Sequence, residues 1–295
     1  MAAVDILLPY YGDEDLMRQS VRSVQAQDNP DWRLLVLDDA YPGADPRGWF
    51  TSLQDPRIHY ERNEENLGAN RNFQKALRLA EAPVVVMMGA DDVMLPGYLD
   101  AVRGLLDAYP GAAVVQPGVS VIDGDGMAVS TLVDRVKSVL TPGAGGTVAL
   151  AGEDMAASLL HAGWHYFPSL AWRREVIQGF GFRPEYDVVQ DLALLMDIAA
   201  SGGSVVVSTG AVVFNYRRHG ASDSSVRAMD GRRFEEERRF FQEQAVRFAG
   251  LGWNRAARAA RLHWTSRLHA VSLLVRSLPR PSSAGIRVLG RHALS

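Results

Sequence analysis

The chain has 295 residues, of which 47% are apolar and 8% aromatic. That is enough for a sizeable core and excludes disorder of the whole chain. There is no Cys, which excludes disulfides, zinc–thiolate centres and cysteine nucleophiles. The net charge of −3 hides an asymmetry, because after Glu243 no Asp or Glu occurs while residues 244–295 hold nine Arg. The first 243 residues are left with 22 basic and 34 acidic groups, a net of −12. An acidic body with a purely basic tail calls for a physical reason.

In chain order, Val4-Asp-Ile-Leu-Leu-Pro9 reads as a short buried strand ended by its proline. Asp5 and Pro9 interrupt the apolar run and no basic residues precede it, so no signal peptide is expected. No stretch reaches the ~18 apolar residues of a membrane span. Residues 13–27 read as a helix with Leu16, Val21 and Val24 on one face. Arg33–Asp38 is a second apolar strand running into Asp38-Asp39, and residues 57–61 form a brief one. Residues 68–80 carry Phe73, Ala76, Leu77 and Ala80 at helical spacing. Pro83–Met88 is a third core strand, again running into a pair of acids, Asp91-Asp92. Pro96 stands where the first residue of a helix to about Ala108 would be. Strand–helix alternation with nearly continuous apolar strands implies a parallel α/β sheet.

Farther on, strand-like pieces surround Val114 and Val121, and helix resumes at 152–161. Ser169–Trp172 is strand-like, residues 190–200 are helical, and 205–207 and 211–216 read as two strands. From about 228 the chain reads as helix, broken at Pro279 and Pro281.

In parallel α/β sheets, ligands bind outside the carboxyl ends of the strands. The acid pairs at two such ends either cap the following helices or meet a cation. Gly68 opens a helix in Asn66-Leu-Gly-Ala-Asn-Arg71-Asn72, where backbone N–H groups and Arg71 can meet an anion; otherwise it is a loop glycine beside a solvated Arg. Asp191 at a helix start is kept ionised by the dipole, as a general base requires, or is a plain cap. Tyr216-Arg-Arg-His219 is either a phosphate- or metal-facing segment or a solvated basic turn.

Taken together, Ile6–Tyr11, Val36–Asp39, Asn66–Asn72, Gly89-Ala-Asp91-Asp92, Gln190-Asp191 and Tyr216–His219 with Ser222 and Ser224 resemble an inverting family 2 glycosyltransferase of the GT-A fold. The resemblance covers about residues 4–225. It implies a Rossmann-like α/β fold, a mostly parallel sheet flanked by helices, with a helical C-terminal extension. Residues 1–110 would be the nucleotide-sugar half, 111–226 the acceptor half of the same domain, and 227–295 the basic extension. It further implies that Pro9 and Tyr11 line the base pocket, that Asp39 accepts a base N–H, favouring UDP or dTDP, and that Arg71 and Asp91 contact the nucleotide. Asp92 would be the direct ligand of Mn²⁺ or Mg²⁺, joined by His219. Arg217 and Arg218 would face the diphosphate, and Asp191 would be the base.

Three departures stand out. Gly89 replaces an acid common in the family, Ala40-Tyr41 replaces the usual Gly-Ser, and the spacing from Asn to Arg71 is short. Trp164, His165 and Tyr166 are candidates for stacking on acceptor or donor sugar, or are a core aromatic cluster. The acceptor would be a hydroxyl of a glycan or of a lipid-linked molecule, with no nucleic-acid partner and oligomeric state open. The enzyme is expected in the cytoplasm. Residues 247–295 would touch the inner face of the cell membrane through Arg, Trp and Leu, or pack on the body. A sugar nucleotidyltransferase is the alternative enzyme, but it would want a basic Gly-rich loop where Tyr10-Tyr-Gly-Asp-Glu14 is acidic. A non-catalytic nucleotide-sugar-binding protein is the other alternative.

Overall fold

A computed structural model describes residues 3–43, 45–130, 132–143, 145–219 and 232–267. Ser222, Ser224 and the tail beyond Arg267 lie outside the described residues. The strands are β1 (Val4–Tyr10), β2 (Trp32–Asp38), β3 (Ile58–Arg62), β4 (Val84–Met87), β5 (Val93–Met94), β6 (Val114–Ile122), β7 (Thr147–Ala151), β8 (Ala171–Arg173) and β9 (Ser204–Arg217). The helices are α1 (Glu14–Gln25), α2 (Arg47–Leu53), α3 (Ala69–Arg78), α4 (Tyr98–Ala108), α5 (Leu132–Leu140), α6 (Gly152–Ala162), α7 (Arg174–Phe180), α8 (Gln190–Ala200), α9 (Arg232–Gly250) and α10 (Asn254–Leu262).

All nine strands join one sheet in the order β3-β2-β1-β4-β8-β6-β9-β5, with β7 also on β9. β3-β2-β1-β4 are parallel, as the apolar runs imply. β8 is antiparallel to both neighbours, and β6 and β9 are again parallel to each other. Successive residues of a strand face opposite sides, so the sheet feeds two cores. Ile6, Leu8, Leu34 and Val36 pack with Met17 and Val21 of α1 and Val102 of α4. Leu7, Leu35, Val85 and Met87 face the other core, with α3, α6, α8 and α9.

Four local readings change, each for an identifiable reason. β1 continues through Pro9 to Tyr10. Leu7 accepts the Met88 N–H on the β4 side, and the β4 ladder ends there. Pro9, two residues on, faces that same unpaired side, so its missing N–H costs nothing. The helix after Pro96 begins at Tyr98, because Gly97 takes the N-cap with φ 83°. The two strands read at 205–207 and 211–216 are one strand, β9, whose register against β6 shifts around Gly118. A Cβ at Gly118 would lie 2.3 Å from the Ala211 carbonyl oxygen, so the close approach at this bulge requires glycine. The long C-terminal helix is divided into α9 and α10, with Gly252 at φ 75° between them. α2, α5, α7, β5 and β7 were not expected.

α10 also answers part of the charge asymmetry. Ala256, Ala257, Ala259 and Ala260 are buried against the body, and the Trp253 ring stacks on Phe248 at 5.3 Å. Arg255 pairs with Glu153 and Asp154, and Arg247 with Asp197 at 2.7 Å. Among the described residues no helix is long and apolar enough to cross a membrane.

Asp5, which interrupts the first strand, is fully buried and receives two hydrogen bonds from Arg33 and the N–H groups of Glu81 and Ala82. Burial pushes its carboxyl up, but Arg33 and the two amides together hold it below the usual range. Asp5→Ala leaves the two amides without their acceptor, while Arg33 keeps Glu81 and the Leu79 carbonyl, and is expected to cost about 1–3 kcal/mol in denaturant melts. A lowered folded pKa stabilises above the unfolded value of about 3.9, and that gain is lost as pH falls through the folded value. The gap between wild type and variant should therefore narrow in melts below about pH 4.

Candidate active site

The carboxyl ends of β1, β2 and β4 open onto one edge. At the end of β2, Asp38 turns inward to Arg62 at 3.0 Å, the Tyr60 hydroxyl at 2.7 Å and the Tyr41 N–H at 2.9 Å. Asp39 is only 2% exposed and accepts from Asn63 Nδ2, Leu67 N and Gly68 N at 2.8–2.9 Å. Its donors are thus the protein's own, and it clasps the loop that starts α3 rather than facing a base. The Gly68 N–H, expected to meet an anion, is spent on this clasp. Asn72 reaches back to the Leu37 carbonyl and Asn63, so the asparagines of this segment are pins. Arg71 is exposed on the first turn of α3. Ala40 sits at φ 56°, a left-handed conformation in which only a glycine would be relaxed.

Pro9 is half-buried, and beyond it Tyr11 is 54% exposed with its ring edge-on to Tyr41 at 5.2 Å. The two rings form an aromatic shelf open to solvent at the end of β1.

At the end of β4 the turn Gly89–Asp92 splits its acids. Asp92 is 1% exposed; its Oδ1 accepts the Arg217 N–H at 2.7 Å, and its Oδ2 is buried without a hydrogen-bond partner. Burial first, then the charge of Asp91, push its carboxyl well above the usual range. Asp91 turns outward, and its Oδ2 lies 2.8 Å from His219 Nε2. The acid expected as the direct metal ligand, Asp92, is thus the buried one, and the partly exposed oxygen–nitrogen pair is Asp91 and His219. Among the described residues no three His, Asp or Glu side chains gather to hold a metal by themselves. Two donors on a rim do fit a divalent cation whose remaining ligands come from phosphates.

Arg217 is buried. Its guanidinium donates to the carbonyls of Asp91 at 2.6 Å, Asp123 at 3.1 Å and Gly124 at 3.0 Å, and to Gln19 Oε1 at 3.0 Å. All four of these acceptors are the protein's own, so it acts as a strut. Arg218 faces the other way, pairs with Asp134 at 2.8 Å and lies over Tyr216.

A second pair stands at the start of α8. Asp191 Oδ2 is 3.0 Å from His165 Nε2, and Oδ1 accepts the N–H of Leu192 at 2.7 Å. Burial pushes this carboxyl up, but His165, the Leu192 amide and Lys137 outweigh it and hold it below the usual range. Asp191 therefore stays ionised at neutral pH. His165 is not a stacking group; it is the partner of Asp191. Trp164 is fully buried with its Nε1 on Ser158, so it belongs to the core. Tyr166 packs on Tyr216 with ring centroids 5.3 Å apart, and burial raises its hydroxyl to about 12. Lys137 of α5 donates to the His165 carbonyl and lies 4.8 Å over the Tyr166 ring; burial lowers its amine to about 8. Nothing in the sequence singled out Lys137, because a lone Lys in a short helix carries no pattern. The Tyr166–Tyr216 contact brings the segment that follows His165 against the end of β9, two residues beyond which stands His219.

Residues 5–137 match the family described as Glycosyl transferase family 2. The match covers 133 of the 295 residues, so it is this first part of the chain that is similar to the family. The match ends inside α5, so Asp191, His219 and α9 lie beyond it. WcaA of Escherichia coli K12, named as a glycosyl transferase of colanic acid biosynthesis, is 29% identical over 97 residues, 32% of this chain and 35% of WcaA. TuaG of Bacillus subtilis 168, named as a glycosyltransferase of teichuronic acid biosynthesis, is 33% identical over 94 residues, 30% of this chain and 36% of TuaG. The matched part thus spans about a third of these relatives. Among solved structures, S. aureus TarS 1-349 in complex with UDP-GlcNAc superposes with a TM-score of 0.71 at 16% identity, over 99% of this chain and 80% of that one. The mannosyltransferase PcManGT from Pyrobaculum calidifontis, in complex with GDP-Man and Mn²⁺, gives 0.60 at 19% identity, over 99% and 79%. The fold is GT-A.

Two outcomes test this geometry. A Cβ at Gly89 would stand 2.4 Å from Asp92 Oδ2 and 2.9 Å from Asp91 Oδ1. Gly89→Ala should therefore displace both acids and cost about 1–3 kcal/mol in a chemical melt. His165→Ala removes the main group that lowers Asp191, so the Asp191 carboxyl should titrate at higher pH by carbon-13 NMR. An unchanged titration would mean that the pair does not form in solution.

Proposed function

We propose that the protein is an inverting glycosyltransferase that moves a sugar from a nucleoside diphosphate sugar to a hydroxyl of a glycan or lipid-linked acceptor. The observation that carries this reading is the ionised carboxylate of Asp191, held by His165 at the start of α8, in a chain that carries a second acid–histidine pair, Asp91 with His219, at its strand ends. Asp91 with His219 faces the place for a diphosphate, and Asp191 with His165 offers an ionised carboxylate. The family match supports the reaction class. The donors held by TarS and PcManGT support a nucleotide-sugar substrate, and the names of WcaA and TuaG support cell envelope polysaccharide as the setting.

The Tyr11–Tyr41 shelf would take the nucleobase and Arg71 would approach the phosphates. Asp91 and His219 would hold a divalent ion, Mn²⁺ or Mg²⁺, which when bound supplies charge neutralisation at the leaving diphosphate. Asp191 would take the proton of the acceptor hydroxyl as its oxygen bonds to the anomeric carbon. The bond from that carbon to the diphosphate breaks with its electron pair leaving on the phosphate oxygen. Attack opposite the leaving group inverts the carbon, and one carboxylate suffices. We further propose that β1–β4 form the donor half and β6–β9 the acceptor half. Contact with an anionic membrane would rest on the exposed Arg258 and Arg261, since Arg247 and Arg255 are engaged by the body.

Asp191→Asn should leave the affinity for a nucleoside diphosphate within twofold of wild type, measured by calorimetry with Mn²⁺, while lowering turnover by about 10²–10⁴. Wild-type turnover would overturn the assignment. UDP and GDP, each with and without Mn²⁺, should separate by thermal shift, because a ligand of the folded state adds its binding energy to stability. UDP with Mn²⁺ is expected to give the larger shift.

A further inference from the structure

The loop before Asp191 is held from outside its own helix. α8 starts after Val189 with no side-chain cap of its own. The amides leading into it are instead collected by Glu236 of α9. Its Oε1 accepts from Val188 N at 2.6 Å, Val189 N at 2.9 Å and Asp187 N at 3.1 Å, and its Oε2 is also 3.1 Å from Asp187 N. A carboxylate on three successive N–H groups fixes the backbone that aims the first turn, and its charge suits a helix N-terminus. α9 grips the same loop at a second point. The buried Tyr186 gives its hydroxyl to Glu243 and packs edge-on against Phe240 at 5.6 Å, while Arg239 donates to the Glu185 carbonyl at 2.7 Å.

We propose that Glu236 is a positioning residue for Asp191, so that the C-terminal helix, which lies beyond the family match, is part of what aims the base at the acceptor hydroxyl. The inference rests on the proposed role of Asp191. Glu236 touches no substrate; it acts through residues 187–189 and through the direction in which Asp191 leaves α8. A displacement on the order of 1 Å at the base is enough to cost about 10²-fold in rate.

The test is a cycle of Glu236→Ala and Asp191→Asn in the full chain, with Glu236→Gln and Glu236→Asp alongside. Turnover and UDP affinity with Mn²⁺ are measured for each. Glu236→Ala should lower kcat by about 10–100-fold while UDP affinity and donor KM stay within twofold. Glu236→Gln should keep most of the rate, because one carboxamide oxygen still accepts from Val188 and Val189. In the Asp191→Asn background, Glu236→Ala should have no further effect, since the base it aims is gone. A merely structural role would instead lower the rate by the same factor in both backgrounds, and that result overturns the proposal. Full turnover in Glu236→Ala overturns it as well, as does a parallel loss of UDP affinity. Should Glu236→Ala not fold, Glu236→Asp takes its place in the cycle, because it keeps the charge but withdraws the oxygens by one methylene. If Asp191→Asn turns over at the wild-type rate, the base reading fails first and this proposal with it. A slow Asp191→Asn beside an unaffected Glu236→Ala overturns the positioning role alone.

Discussion

Arg217 at the end of β9 is the interaction on which the site depends. Its backbone N–H binds Asp92, and its guanidinium binds the carbonyls of Asp91, Asp123 and Gly124 together with Gln19 of α1. One buried cation thus joins the ends of β4, β6 and β9 and a helix of the first half. A guanidinium offers five donors in a fixed fork, and here they meet acceptors from three separate segments. Removing such a buried side chain leaves three carbonyls and Gln19 Oε1 without their donor, at about 1–3 kcal/mol for each group left buried and unsatisfied. The acid turn is shaped by this strut. Asp92 is drawn inward to the Arg217 amide, Asp91 is left outward, and His219, two residues beyond Arg217, meets it. Ser20 adds a second restraint by donating to the Asp92 carbonyl at 2.6 Å.

The strut also explains which parts of the site could be read from sequence. That two strands end in acid pairs was legible, because buried parallel strands are continuous apolar runs and their ends are marked by the first charges. Which acid of a pair faces out was not, because Asp91 and Asp92 are chemically identical and only the turn distinguishes them. For Arg217 and Arg218 a usable signal existed. Adjacent residues of an extended segment point to opposite sides, so two neighbouring arginines at a strand end are not expected to meet one ligand. The bulge at Gly118 was similarly marked by Pro117-Gly118 inside an apolar strand. Lys137 and Glu236 were not legible. Each acts only through tertiary contacts, and Glu236 sits in an Arg/Glu-rich stretch that reads as a solvated face.

The charge asymmetry between body and tail has a structural meaning over the described residues. Arg247 and Arg255 find their acids on α6 and α8, so the missing carboxylates of the tail are supplied by the body. The exposed pair of Arg255 with Asp154 contributes little, typically about 0.2–1 kcal/mol for such pairs. The four buried alanines of α10 and the Trp253–Phe248 stack hold the segment down by removing apolar surface from water. The ion pairs set its register on α6, and the small side chains allow the close helix approach.

The segment between Phe182 and Gln190 connects these themes. On one side Asn70, the neighbour of Arg71, donates to the carbonyls of Arg183 and Tyr186 and to Gln190 Oε1 at 2.8–3.0 Å. On the other side α9 holds it through Glu236 and the Tyr186 contacts. At its far end it becomes the helix that carries Asp191. A loop pinned both to the helix bearing Arg71 and to the C-terminal extension cannot shift at one end without straining the other, since close-packed interiors transmit displacement rather than absorb it. The fold thereby ties the start of α3 to the start of α8 through side-chain amides, and the loop before α8 to the C-terminal helix α9 through the Glu236 carboxylate and the buried Tyr186.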